Sequence, residues 1–222
     1  MSIASDLRIR YVFDPLCGWC YAASPAIAGL AERYGLALDM LPWGLFADDE
    51  PMRLSPTLAH HFWSNDERIA RLTGLPFSQA YRDDVLGAHG SAVDSLPATR
   101  ALTLVRETAP AREFAYLHQL QRARYVDGRD ITRADVLADL AASLDIDAPE
   151  FATRVAHGRT LDNTTAARIG EARTLMTRIA SNGVPALVVS IGRNEHVVHG
   201  APLYRGAEIL LSAVDSLVSN NI

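Results

Sequence analysis

Charged and apolar positions alternate from Arg8 to Phe13 (Arg8-Ile9-Arg10-Tyr11-Val12-Phe13), a period-two pattern that predicts a strand, and Asp14-Pro15 ends it. The spacing then changes. Ala22, Ala23, Ile27, Leu30 and Ala31 fall on one side of a helix predicted from about Cys17 to Tyr34, with Gly35 as a suitable residue after its last turn. Pro25 lies inside that helix, where it removes one backbone donor and favours a kink. Residues 36–43 predict a second strand.

From Ser55 to about His157 the pattern becomes almost wholly helical. Ser55-Pro56-Thr57 makes a good entry, a capping side chain followed by proline at the first helical position. Helices are predicted over 98–108 and 111–125, separated by Pro110. Thr132-Arg133-Ala134-Asp135 resembles a capping box opening a helix through Leu144, and Pro149 starts a short helix ending near Gly158. Another helix is expected over 164–181. Pro185-Ala186-Leu187-Val188-Val189-Ser190-Ile191 is the strongest strand signal in the chain. A turn at 192–195, a short strand at 196–199 and an amphipathic helix over 203–218 complete the order: βαβ, a block of helices, then αββα. No internal repeat or low-complexity linker interrupts it.

With 222 residues and 49% hydrophobic content, the chain is one large domain, or a domain carrying a sizeable insertion, and can bury an ordinary core. A net charge of −5 provides no general electrostatic reason to bind nucleic acid. All 21 basic residues are arginine, so lysine Schiff-base chemistry is excluded. The first residues lack a basic segment followed by an apolar core, and no apolar run approaches a membrane span. These features point to a soluble, cytoplasmic protein with no membrane partner.

Against that background the cysteines carry the most information. The chain has two, Cys17 and Cys20, separated by Gly18-Trp19 where the first strand gives way to a helix. A disulfide across so short a loop restricts little unfolded-chain entropy, which weakens a purely structural role. Thiols at this spacing in a cytosolic chain point to redox or metal chemistry. A zinc site needs four ligands, and His196 and His199, the nominal remainder, lie three apart on a strand and face opposite sides. Reversible dithiol chemistry is therefore the leading reading.

The attacking sulfur must be a thiolate, and the unpaired N–H groups and dipole at a helix start stabilise an anion. Cys17 sits there and is the expected nucleophile. Cys20, one turn on, is within reach to attack the resulting mixed disulfide. Trp19 offers an aromatic surface on which a substrate can rest. The histidines show no nucleophile–base pattern, and His60-His61 reads as partly exposed surface. Trp43, Phe46, Phe62 and Trp63 either line a groove beside the dithiol or pack the core, with packing favoured for most of them.

Asp14-Pro15-Leu16-Cys17-Gly18-Trp19-Cys20, the Gly128-Arg129-Asp130-Ile131 turn into a helix, and Gly183-Val184-Pro185-Ala186 together resemble the DsbA family of thioredoxin-fold oxidoreductases. Within it, the chain looks most like the cytosolic FrnE-related branch of predicted protein-disulfide isomerases. The resemblance implies an α/β fold, a thioredoxin-like domain of residues 1–50 and 160–222 with a large all-helical insertion at 51–159. It also implies a cis Val184–Pro185 bond beside the dithiol, with the Val184 backbone pairing with substrate. DsbA itself has a histidine between its cysteines; the uncharged Gly18-Trp19 pair implies a less oxidising couple. Many thioredoxins carry a buried acid six residues before the first cysteine, where this chain has Tyr11. Asp14 is then either a proton carrier for Cys20 or simply the turn residue, the reading favoured here.

The implied activity is a thiol–disulfide oxidoreductase, a reductase or isomerase, acting on a disulfide- or thiol-containing protein or small molecule. No bound cofactor is expected beyond the redox-active Cys17–Cys20 pair, with glutathione as a candidate co-substrate. The alternative is a glutathione-dependent transferase or isomerase of the kappa or 2-hydroxychromene-2-carboxylate isomerase type. Those families share the insertion architecture but typically have serine where Cys17 stands. A non-catalytic binding module would leave the cysteine arrangement unexplained.

Overall fold

The computed structural model describes residues 7–220; residues 1–6, on which the reading of a leader partly rests, lie outside it, as do 221–222. One four-stranded sheet has the order β2-β1-β5-β6. Strands β1 (Leu7–Phe13) and β2 (Leu38–Pro42) are parallel, which requires a crossover, and α1 (Gly18–Tyr34) provides it. On the other side of β1 runs antiparallel β5 (Ala186–Ile191), joined to β6 (Asn194–Val198) by a tight hairpin whose Gly192 takes φ 58°. The alternation in β1 divides the molecule into layers. Ile9, Tyr11 and Phe13 pack with α1 and α8 (Ala207–Ser219), while Val12 joins Leu41, Ala186 and Val188 beneath α7 (Arg159–Arg178).

Between β2 and α7 come α2 (Pro56–Thr73), α3 (Leu96–Thr108), α4 (Glu113–Tyr125), α5 (Ala134–Ala142) and α6 (Ala148–His157). The fold is thus thioredoxin-like with a large helical insertion. A two-residue ladder, β3 (Met52–Arg53) with β4 (Ala92–Val93), and a π turn at Tyr81–Val85 sit among the helices, too short to leave a periodic signal in the sequence. Ser55 caps α2 as its side chain predicts, accepting from Leu58 N at 3.1 Å ahead of Pro56.

Several boundaries differ for local reasons. Cys17 is the residue before α1 rather than a member of its first turn, with extended φ/ψ of −83°/118°. The expected capping box at 132–135 does not form. Asp130 takes the Thr132 hydroxyl at 2.7 Å, Arg133 precedes the helix, and Asp135 pairs with Arg133. Residues 35–37 form a 3₁₀ turn, so β2 starts at Leu38, and Ala201–Tyr204 forms another between glycines with positive φ, delaying α8 to Ala207. Conversely, α7 begins at Arg159, earlier than its apolar periodicity suggests.

A buried ion cluster ties the insertion to the sheet. Glu113 on α4, 3% exposed, receives Arg168 from α7 and Arg106 from α3, the latter at 3.0 Å. Arg168 also donates to Met40 O in β2 at 2.7 Å and to Thr103 Oγ1 at 3.1 Å, while Arg106 reaches Asp39 at 2.7 Å. Two carboxylates, Glu113 and Asp39, thus balance two guanidinium groups where α3, α4, α7 and β2 meet, and Glu113 is the one that Arg168 depends on. Removing Glu113 leaves a buried arginine uncompensated, which typically costs about 3–5 kcal/mol. Glu113→Gln is expected to lower the unfolding free energy read from urea titration by an amount in that range, whereas Asp215→Ala, on an exposed pair with Arg33, leaves it nearly unchanged.

Candidate active site

The strand-to-helix turn is built around Asp14. Its carboxyl is fully buried and accepts Leu16 N at 2.9 Å, Ser95 Oγ at 2.7 Å and Phe46 N at 3.4 Å, while its carbonyl accepts Cys17 N at 3.1 Å. Leu16, on the same turn, is held by Tyr125 of α4, whose hydroxyl donates to its carbonyl at 2.6 Å. Burial pushes the Asp14 carboxyl up, and the hydrogen bonds from Ser95, Leu16 and Phe46 partly oppose this. The carboxyl thus makes the turn, as favoured above, and also lies close enough to Cys20 to raise that thiol.

Both thiols are unpaired, and they occupy different environments. The Cys17 sulfur is 3.6 Å from Val184 O, to which its S–H donates, and Cys17 is 7% exposed. Val184 precedes Pro185 through a cis bond, so the dithiol faces that loop. Cys20 has no exposed surface. Burial pushes its thiol well up, followed by its hydrogen bond with Cys17 and the Cys17 charge. Tyr11 lies beneath, donating from its hydroxyl to Cys20 O at 3.3 Å; burial first, then the two cysteines, keep that phenol protonated. The position of the acid found in many thioredoxins therefore holds a neutral donor.

A cavity of about 220 Å³ opens beside Cys17. Gly18, Trp19, Phe46 and Val184 form part of its wall, and the insertion supplies Phe62 and Asp66. Of the aromatic residues singled out from sequence, Phe46 and Phe62 thus reach the site, 6.0 Å apart edge to face. Trp43 packs on the α7 side of the sheet, and Trp63 stacks with Arg82 at 5.1 Å. His61, on the exposed face of α2, reaches the cavity rim, which its surface reading did not anticipate. Trp19 is half-buried between Tyr204, 5.0 Å away, and the Arg68 guanidinium, 5.8 Å from its ring. Among the described residues no group of three or more His, Cys, Asp or Glu is placed to hold a metal.

Sequence reasoning missed the floor of this cavity. Asp66, 4% exposed, accepts the Tyr81 hydroxyl at 2.8 Å, and Arg124 lies over the rings of Tyr81 and Tyr125 at 5.4 and 5.7 Å. Asp66 sits in Ser64-Asn65-Asp66-Glu67-Arg68, a run indistinguishable from a solvated helix face. The usable signal was Gly18. A Cβ there would collide with Asp66 Oδ1 and stand 3.1 Å from Ile69 Cδ1, so the motif's glycine records the close approach of α2.

Comparison with known proteins agrees with this geometry. Residues 8–206 match the DSBA-like thioredoxin domain. Cytosolic disulfide reductase DsbM of Pseudomonas aeruginosa is 32% identical over 95% of this chain and 98% of its own, with a TM-score of 0.77. A structure of the same protein with glutathione (GSH) superposes at 0.76 over the same shares, also at 32% identity. A Nitrosomonas europaea protein, 24% identical over 97% of this chain and 99% of its own, has the same fold at a TM-score of 0.77. A search of curated proteins finds no match. The chain belongs to the DSBA-like thioredoxin domain family and is a thiol–disulfide oxidoreductase.

Proposed function

We propose that this protein is a cytoplasmic disulfide reductase or isomerase working through Cys17-Gly18-Trp19-Cys20, with Cys17 as nucleophile and Cys20 as resolving thiol. The observation that carries the reading is the asymmetry of the two sulfurs. One lies in the cavity at the helix start against Val184 O, and the other is sealed beneath it. The identity to a cytosolic disulfide reductase supports the direction and the compartment. Glutathione is proposed as the small co-substrate, because a structure of that relative is described with it and the cavity here is of modest size. In this reading residues 1–50 and 160–222 form the catalytic unit and 51–159 the insertion that walls the cavity.

The Cys17 thiolate attacks one sulfur of a substrate disulfide, forming a mixed disulfide and releasing the other sulfur as a thiol once it gains a proton. Backbone groups of Val184 pair with the bound chain, and Trp19 supports it. Cys20 then loses its proton and attacks the Cys17 sulfur, releasing the second substrate thiol. Two substrate sulfurs are reduced and the Cys17–Cys20 dithiol becomes a disulfide, which two glutathione molecules re-reduce as they become oxidised glutathione.

Cys17→Ser is expected to reduce insulin disulfide turnover to background, and Cys20→Ser to retain the first attack and accumulate a mixed disulfide visible by mass spectrometry. No turnover in the wild type would overturn the reading, and glutathione conjugation surviving in Cys20→Ser would favour the transferase alternative. Burial, the largest cause of the raised Cys20 thiol, persists in the mixed disulfide, whereas the Cys17 charge does not. Resolution is therefore slow at pH 6 and accelerates as pH rises through 9, measured in the wild type by stopped-flow decay of the transient mixed disulfide. Gly18→Ala is expected to lower stability by about 1–3 kcal/mol through overpacking against Asp66 and Ile69. Asp66→Ala in the same chain should make the combined cost smaller than the sum, as read by thermal unfolding in a double-mutant cycle.

A further inference from the structure

Asp66 is a buried carboxyl without a countercharge in contact. Among the described residues it enters no salt bridge, and Tyr81 is its one side-chain hydrogen-bond partner. The nearby cation, Arg124, is committed to the faces of Tyr81 and Tyr125, and its buried Nε has no partner. A carboxyl taken from water without an ion pair is costly, and a surface helix has no packing need for one. Its oxygen Oδ1 is pressed toward Gly18, the residue that follows Cys17, and it lines the cavity with Cys17 and Val184. Asp14 is differently placed: its carboxyl is engaged by three donors and lies on the Cys20 side.

We propose that Asp66 gives a proton to the thiolate that leaves when Cys17 attacks a disulfide in this cavity, and takes the proton back when the reaction runs in reverse. The proposal rests on the dithiol reading above. In the forward step the Cys17–sulfur bond forms and the substrate S–S bond breaks. The departing sulfur keeps the electron pair and receives the Asp66 proton, leaving a carboxylate. The group is suited to this exchange. Burial raises its pKa to about 7, while the Tyr81 hydrogen bond and the positive field of Arg124 act in the opposite direction. Both forms are then populated near neutrality, where a general acid is most useful.

The titratable and charged groups facing Asp66 are Cys17 just before α1, Tyr81 from the π turn, and Arg124 and Tyr125 from α4. On its own helix, His61 stands at the rim and Arg68 lies over Trp19. The other lining residues, Leu45, Phe46, Gly183 and Val184 among them, carry no charge. Below pH 7 Asp66 is neutral, so Asp66→Asn leaves the charge beside Cys17 unchanged while removing the proton. Above pH 7 neither protein has a proton to give there.

The test is single-turnover oxidation of the pre-reduced protein by oxidised glutathione, followed from pH 5 to 9. Asp66→Asn is expected to be slower by about 100-fold at pH 6, with the difference disappearing as pH rises through 7 and reversing where the wild type carries a carboxylate beside the Cys17 thiolate. Tyr81→Phe retains the carboxyl but loses a hydrogen bond that favours its ionised form. The pH above which the wild-type advantage disappears should therefore move upward. Superimposable profiles for wild type, Asp66→Asn and Tyr81→Phe would overturn the role of Asp66 while leaving the dithiol reading intact. A uniform loss at every pH would assign Asp66 a structural role and overturn it equally. Failure of the wild type to react at all would remove the dithiol reading, and the proposal with it.

Discussion

The buried carboxyl of Asp14 fixes the turn on which the site depends. Its oxygens take donors from three separate stretches of chain: Leu16 in the turn, Phe46 after β2 and Ser95 at the start of α3. Desolvating a carboxyl is unfavourable, and these bonds are what make the burial tolerable. In return the chain can leave β1 along one path, so that Cys17 N meets Asp14 O and α1 starts at Gly18. The insertion is therefore part of the turn. Ser95 and Tyr125 both come from it, and without them Asp14 and Leu16 lose partners from outside the thioredoxin unit.

That turn separates two sulfurs one helical turn apart into two chemical environments. Cys17 lies at the unpaired N–H end of α1 and reaches the cavity. Cys20 is enclosed with Tyr11 and Asp14, where burial favours the neutral thiol. The order of attack in the proposed mechanism rests on this difference. A thiol held neutral does not compete for the substrate, and it becomes a nucleophile only after the first sulfur has been consumed and a proton removed.

Much of this was legible along the chain because it is local. The alternation at Arg8–Phe13 gives β1 and its two faces, the run after Pro185 gives β5, and Ser55-Pro56 gives the start of α2. The cysteine spacing locates the dithiol, and Val184-Pro185 locates the loop opposite, through resemblance rather than spacing. What escapes is what only tertiary contact creates. Asp66 and Arg124 carry the signature of surface residues and are buried because α2 and α4 converge over the cavity. Thr132 has the right side chain for a cap but loses it to Asp130, a competition between neighbours that a motif cannot register. Glycine is the exception. At position 18 its missing side chain encodes the approach of α2, a long-range contact written in a local residue.

The same contact changes how the motif should be understood. Taken alone, Gly18-Trp19 brings no charge to the dithiol and implies a weak oxidant. In the folded protein the insertion places Arg68 over Trp19, and Asp66 and Arg124 on the cavity floor. The charges around the cavity therefore come from residues about 50 and 110 positions away in sequence, not from the two between the cysteines. These charges have opposite signs, and the carboxyl changes its own within the neutral range. An aliphatic side chain at position 18 would push α2 outward and weaken that coupling; glycine keeps the carboxyl against the first turn of α1. The dipeptide between the cysteines thus acts less through its own charge than through the space it leaves for the insertion.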